Sequence, residues 1–78
     1  MSLSNMANAS YERRQQRIMS LRVMFNRQQI VTVDSAMQRL GYKAQTIIRW
    51  CKEGDIPLLY EGQPIVPLTD ANRPKWLN

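Results

Sequence analysis

Histidine is absent from this 78-residue chain, and cysteine occurs once, at Cys51. A single cysteine cannot form an intrachain disulfide, and the lack of histidine removes the second common zinc ligand. We therefore expect no metal site, no cofactor and no cystine framework. The same shortage leaves no nucleophile beside a base, so the usual acid–base and covalent catalytic arrangements cannot be assembled. No catalytic residue is predicted, and the chain is not expected to be an enzyme.

Long apolar runs are also missing. No uninterrupted run approaches the roughly 18 residues that a membrane span needs, so no membrane partner is expected. Residues 1–9 lack the apolar centre of a secretion signal and are predicted to be a disordered lead-in. Together with the single cysteine, these features favour a reducing cytoplasm.

Positive charge is what the chain has in excess. Eleven Lys and Arg against six Asp and Glu give a formal net charge of +5 and a pI near 10.0. A basic chain of this kind favours polyanionic partners, either nucleic acid or an anionic membrane surface, and charge alone does not choose between them. Because so short a chain buries only one modest core, we expect one small domain without a deep enzyme pocket.

Residues 10–29 contain neither glycine nor proline and are predicted to form a basic amphipathic helix with Ser10 as its N-cap. At helical intervals of about 100°, four apolar residues share one stripe: Tyr11, Ile18, Leu21 and Phe25. Three arginines fall on the opposite side and are candidate phosphate contacts: Arg13, Arg17 and Arg27. Arg14 and Arg22 lie within or beside the stripe.

Three roles fit this first helix. It could simply dock on the core through its apolar stripe. It could be an arm that contacts the DNA backbone or forms a dimer, a role favoured by its five arginines and one glutamate. It could also lie on a membrane surface, although the required basic face opposite bulky apolar residues is only partly present.

Residues 32–57 show two short helical patterns joined by a turn. Thr32 is expected to cap the first helix, and Gly41 to end it as a C′ glycine. Its apolar residues recur at helical spacing: Val33, Ala36, Met37 and Leu40. The second helix is expected over residues 44–52, closed by Gly54 and prevented from restarting by Pro57.

The second of these helices separates apolar from polar side chains. Ile47, Trp50 and Cys51 are predicted to face the core. The outward surface is predicted to consist of Gln45, Arg49 and Lys52, with Ile48 on the flank. Trp50 is therefore expected to be structural rather than a base-stacking platform, and Cys51 a small buried apolar residue.

The remaining residues change pattern. Apolar runs at 58–60 and 64–66 flank Glu61, Gly62 and Gln63, which predicts a short hairpin. Thr69 could begin a last helical turn, but Pro74 prevents a longer helix. We expect Trp76 and Leu77 to fold back over the core.

Two short helices, a tight glycine-containing turn and a following hairpin predict a mainly α fold with a small β-hairpin wing. This is a winged helix-turn-helix over residues 30–78, preceded by the basic N-terminal helix. The ordered positions within this segment resemble the excisionase and MerR-like DNA-binding domains of phage and mobile-element proteins: Thr32-Val33, Ala36, Leu40-Gly41, Thr46-Ile47, Arg49, Glu53-Gly54, Ile56-Pro57 and Gly62.

The resemblance implies a function and a recognition helix. Residues 46–52 would enter the major groove, with Gln45 pairing adenine edges and Arg49 contacting guanine or a phosphate. Lys52 would contact a phosphate, and Thr46 would bond either a phosphate or the start of its own helix. The candidate DNA-binding set is Lys43, Gln45, Thr46, Ile48, Arg49 and Lys52.

The implied protein binds duplex DNA with sequence preference in a bacterial host cytoplasm and controls recombination or transcription of a phage or mobile element. A homodimer or a cooperative partner protein is a further expectation, because few base contacts are available. Two alternatives stay open: a protein-interaction adaptor on the same fold, and the DNA-recognition part of a phage terminase small subunit.

Three features depart from the family pattern. Lys43 stands where the family often has a Ser or Thr cap, and it cannot accept a bond from the helix amides. The hairpin offers Glu61, Gln63 and Pro64 in place of basic residues, which puts its contact with DNA in doubt. Pro74 interrupts the final helix.

Overall fold

The computed structural model describes residues 3–77, with side chains from Ala9 onward. Three helices are followed by a two-stranded antiparallel hairpin, so the predicted mainly helical architecture with a small hairpin is confirmed. The elements are α1 (Leu3–Asn26), α2 (Val33–Leu40), α3 (Ala44–Gly54), β1 (Leu59–Tyr60) and β2 (Gln63–Pro64). Within the described range, every helix is too short or too polar to cross a bilayer.

Helix α1 begins earlier than predicted. It starts at Leu3 rather than after Ser10, so residues 3–9 belong to the helix and the predicted lead-in is corrected there. Nothing in this segment opposes a helix, because it contains neither glycine nor proline. Residues 1 and 2 of the lead-in lie outside the described residues.

The apolar stripe of α1 is confirmed for three of its four members. Ile18, Leu21 and Phe25 are buried, whereas Tyr11 is 56% exposed. Tyr11 lies in the part of α1 where no core is present beneath it, so helical spacing alone placed it wrongly.

The ends of α2 follow the predicted local signals. The hydroxyl of Thr32 accepts a hydrogen bond from the Ser35 amide at 3.0 Å, and the Ser35 hydroxyl accepts one from the Thr32 amide at 3.1 Å. This reciprocal capping box satisfies amides that the first turn of a helix leaves free. Gly41 ends the helix in the left-handed region, with φ 78°.

Helix α3 ends two residues later than predicted, at Gly54 rather than at Lys52. Gly54 is its last residue, and Asp55, with φ 56°, occupies the left-handed position that was assigned to glycine. Gly54 has a packing role instead: a Cβ at this position would overlap the Cγ2 methyl of Ile18. The absence of a side chain therefore lets α3 approach α1 closely.

The hairpin is short and is attached to α2. Glu61 and Gly62 both have positive φ, as a two-residue type I′ turn requires. The pairing aligns Leu59 with Pro64 and Tyr60 with Gln63, and the Leu59 amide donates to the Val31 carbonyl at 3.0 Å. The hairpin is thus fixed to the link that precedes α2.

The last residues form a capped turn rather than a helix. Trp76 folds back as predicted: its indole Nε1 donates to the Phe25 carbonyl at 2.7 Å, and its ring meets Phe25 edge-on. One continuous core joins the helices, the link and the start of the hairpin: Ile18, Leu21, Phe25, Ile30, Val33, Ala36, Ile47, Trp50, Cys51, Ile56 and Leu58.

Candidate functional site

The outward face of α3 is a polar ridge. Gln45, Arg49 and Lys52 are exposed, while Ile47 and Cys51 on the opposite face are fully buried. This division follows from helical periodicity, because residues three and four apart share a face. We call Gln45, Arg49 and Lys52 the α3 ridge.

The N-terminal end of α3 is open. Its N-cap residue, Lys43, makes no side-chain capping hydrogen bond, as predicted, and its ammonium group is exposed. Free amides at a helix start attract anions, and the lysine adds a positive charge at the same end. This end of the helix is therefore suited to a phosphate group.

The hairpin borders one side of the α3 ridge. A groove of about 310 Å³ separates the two, lined by Ile48, Lys52, Tyr60, Gln63, Pro64 and Ile65. Residues 60–64 contain Glu61 but no Lys or Arg. The groove can therefore offer apolar and amide contacts, with Lys52 as its one cation.

The N-terminal half of α1 borders the other side of the ridge. The guanidinium of Arg14 lies 3.3 Å from the carboxylate of Glu53 on α3. Arg17 donates a hydrogen bond to the Tyr42 hydroxyl, and its guanidinium carbon lies 5.3 Å from the centre of that ring. Both contacts join α1 to α3 or to the turn before it.

These contacts form a basic, aromatic flank. The Tyr42 ring meets the Trp50 ring edge-on, with centroids 4.9 Å apart. A shallow cavity of about 270 Å³ lies beside Trp50, lined also by Ser10, Arg13, Arg14 and Arg17. Among the side chains described from Ala9 to Leu77, one carboxylate, that of Glu53, pairs with an arginine of this flank, which therefore keeps a net positive charge. We call Arg13, Arg14 and Arg17 the α1 arginine cluster.

The structure brings most of the predicted site residues to one surface. Lys43 and the α3 ridge are exposed there, and Thr46 and Ile48 are half-buried at its edges. Arg13 and Arg17 lie on the α1 flank, as part of the cluster. Arg27 does not join them, because it lines a different groove with Met19 and Val23.

Four further residues border this surface and were not predicted as site residues: Arg14, Tyr42, Tyr60 and Gln63. Arg14 was placed within or beside the apolar stripe, and its position four residues before Ile18 indicates that its side chain reaches over the core edge. Tyr42 and Tyr60 carry no such local signal, since their neighbours come from distant parts of the chain.

Cys51 is excluded from site chemistry by its burial. Desolvation raises the pKa of its thiol from 9.0 to about 12, so the thiol stays protonated at neutral pH and is neither a nucleophile nor a ready metal ligand. Across residues 3–77, no group of three His, Cys, Asp or Glu side chains is arranged to hold a metal ion.

Comparison with protein-family models, with curated proteins and with solved structures gives no match to this chain.

Proposed function

We propose that the chain is a winged helix-turn-helix protein that binds duplex DNA, with α3 as its recognition helix. The single observation that carries this proposal is the α3 ridge, an exposed polar face flanked by a hairpin on one side and by an arginine cluster on the other. A helix fits the major groove, and basic residues beside it can meet the adjacent phosphates.

The contacts divide by chemistry. Arg49 suits the bidentate acceptor edge of guanine, and Gln45 suits adenine. Lys43, Lys52 and Thr46 suit phosphates, while Ile48 can meet a thymine methyl group from the groove side. Arg13 and Arg17 of the cluster would contact phosphates beside the recognition helix and so set the orientation of the domain.

The biological role follows from the sequence resemblance. We propose that the protein controls recombination, as an excisionase does, or transcription of a phage or mobile element, in the cytoplasm of a bacterial host. The ordered set of positions from Thr32 to Gly62 supports this role. The capped α2, the Gly41 turn and the I′ hairpin agree with that pattern in their local geometry.

The direct test begins with selection of bound duplexes from a random pool, followed by affinity measurements on the selected duplex. We expect the Arg49→Ala/Lys52→Ala variant to bind it at least tenfold more weakly, because each good base-edge contact contributes about 1–3 kcal/mol. The matched control is Arg73→Ala/Lys75→Ala, which removes the same two charge types from the exposed C-terminal turn.

If the two double variants lose affinity equally, only net charge matters and the recognition-helix assignment is wrong. If the selection returns no consensus, sequence preference is wrong as well. Circular dichroism of each variant is the check that its fold is retained.

One observation favours a second function, that of a protein-interaction adaptor on the same fold. The hairpin carries Glu61 and no basic residue, and with Asp34 it borders an acidic groove of about 440 Å³. Such a surface repels DNA and suits a basic protein segment. An adaptor would fail the duplex selection and bind its partner through this groove.

A further inference from the structure

The face of α1 that points away from the core is partly apolar and is not covered by any side chain that the structure describes. Met19 is 65% exposed and Val23 is 41% exposed. They line a groove of about 530 Å³ together with polar neighbours that include Gln16 and Arg27. Glu12 lies on the same face at helical spacing, four residues before Gln16. We call Glu12, Gln16, Met19, Val23 and Arg27 the α1 back face.

The part of α1 from Ala9 to Arg17 is not buried against the core of its own chain. From Ala9 to Arg17, none of the described side chains is buried. A helix of this length spans about 36 Å, whereas its buried side chains, among those described from Ala9 onward, are Ile18, Leu21 and Phe25. Helical segments without tertiary packing are only marginally stable in water. A contact on the back face would supply the missing support.

We propose that a second copy of this chain covers the α1 back face, with the two α1 helices antiparallel and related by a twofold axis between Met19 and Ser20. Glu12 and Arg27 lie equally far from that midpoint in sequence. The Arg27 amide still donates to the Val23 carbonyl at 3.0 Å, so the helical path extends to this residue. Antiparallel pairing therefore sets Glu12 opposite Arg27 of the second copy, twice by symmetry.

The same antiparallel pairing sets each apolar residue at the centre of the face opposite a small or uncharged residue. Met19 lies opposite Ser20 of the second copy, and Val23 lies opposite Gln16. The two exposed apolar side chains of each copy are thus covered within one helical turn of the twofold axis, and the charged pairs lie at the rim of the interface. A parallel arrangement would set Glu12 against Glu12 and Arg27 against Arg27, which like-charge repulsion opposes.

A second copy of this chain is favoured over an unrelated partner because the back face carries both charges of the proposed pair. Glu12 lies at one end of the face and Arg27 at the other, so two antiparallel copies are complementary. The arrangement also leaves α3 free, since the Arg14 and Arg17 contacts to Glu53 and Tyr42 are on another side of α1. The dimer forms without DNA, so its test is independent of the proposed function. If the chain both forms this dimer and binds DNA as proposed, the dimer presents two α3 ridges to one duplex.

The test is the molar mass in solution, measured by sedimentation equilibrium over rising concentrations without DNA. We expect the full chain to approach twice its 9.1 kDa mass. The Met19→Glu/Val23→Glu variant should stay monomeric, because it sets four carboxylates into the contact. The control is Tyr60→Glu, which changes an exposed aromatic residue on the hairpin and should leave the dimer intact.

Charge reversal tests the orientation. Glu12→Arg and Arg27→Glu should each weaken the dimer about threefold or more, because each sets like charges together at two symmetric places. The Glu12→Arg/Arg27→Glu variant restores opposite charges and should recover most of the wild-type association. A chain that remains at 9.1 kDa at the highest concentration overturns the dimer. A double variant no better than either single one overturns the antiparallel pairing.

Discussion

Gly54 shows how one missing side chain fixes the distance between two helices. It lies within the last turn of α3 with an ordinary helical backbone, so no left-handed conformation explains the glycine. Its Cα faces Ile18, and a Cβ there would overlap the Ile18 Cγ2 methyl and lie 3.3 Å from Ile56 Cδ1. The position of α3 against the arginine-bearing helix therefore depends on this residue.

We expect Gly54→Ala to lower the free energy of unfolding by about 1 kcal/mol or more. Overpacking a core costs about 1–3 kcal/mol, and the better helix propensity of alanine returns up to about 1 kcal/mol. Ile18→Leu moves the branch methyl away from Cβ, so the Ile18→Leu/Gly54→Ala variant should lose less than the two single losses added together. Urea unfolding followed by circular dichroism measures all three variants.

A stabilising effect of Gly54→Ala by itself would contradict the packing role, since it would mean that helix propensity outweighs the contact. Additive losses in the double variant would mean that Ile18 is not the residue in the way.

At the scale of elements, the C-terminal turn is held by a single buried amide. Asn72 is 4% exposed, and its Nδ2 donates to the Pro67 carbonyl at 2.9 Å and to the Asp55 carboxylate at 3.2 Å. Its Oδ1 accepts from the Thr69 amide at 2.8 Å. One side chain thus joins the turn to Asp55, the residue that caps the C-terminal end of α3.

We expect Asn72→Ala to destabilise the fold by about 1–3 kcal/mol, because it leaves buried polar partners without hydrogen bonds. Asn72→Asp should also destabilise it, since the new carboxylate keeps the acceptor for Thr69 but stands against Asp55 without a donor. The matched control, Asp70→Ala on the exposed side of the same turn, should stay within about 0.5 kcal/mol of wild type. Thermal and urea unfolding give the comparison. Equal stability of Asn72→Ala and Asp70→Ala would show that the turn is not anchored through this amide.

The elements that sequence predicted well are those with local signals. Thr32 and Gly41 cap α2 through residues three or four positions away, and Glu61-Gly62 forms its turn from its own backbone preferences. Helical spacing sufficed to assign Ile47 to the core and Arg49 to the surface. The candidate residues of α3 are therefore identifiable from the sequence.

The features that sequence did not predict depend on distant residues. Asn72 follows a proline-containing segment and carries no signal that Asp55 will meet it. Tyr11 fits the apolar stripe of α1, but periodicity does not tell where the core under a helix ends. Gly54 matched a common C-cap pattern, whereas the contact with Ile18 that explains it joins two separate helices.

At the scale of the whole molecule, charge is unevenly distributed around the surface. The α1 arginine cluster and the α3 ridge lie on neighbouring faces, joined by the contact of Arg17 with Tyr42. The groove between α2 and the hairpin carries Asp34 and Glu61 instead. A polyanion would therefore meet the α1 and α3 side rather than the acidic groove.

The dependence of DNA affinity on salt measures which arginines meet phosphates. Each phosphate neutralised adds about 0.9 to the slope of log affinity against log salt concentration. We expect Arg13→Gln/Arg17→Gln to reduce the magnitude of this slope by about 1–2, because the structure sets both guanidinium groups beside the α3 ridge. Arg27→Gln removes the same kind of charge from the α1 back face and should leave the slope unchanged when it is measured at a protein concentration at which the variant is still a dimer. Titrations of one selected duplex between about 50 and 200 mM salt cover the range in which the effect is large.

An unchanged slope for the double variant would limit α1 to docking and dimer contact. A reduced slope for the dimeric Arg27→Gln variant would bring the back face to the DNA and would be incompatible with its burial between two copies.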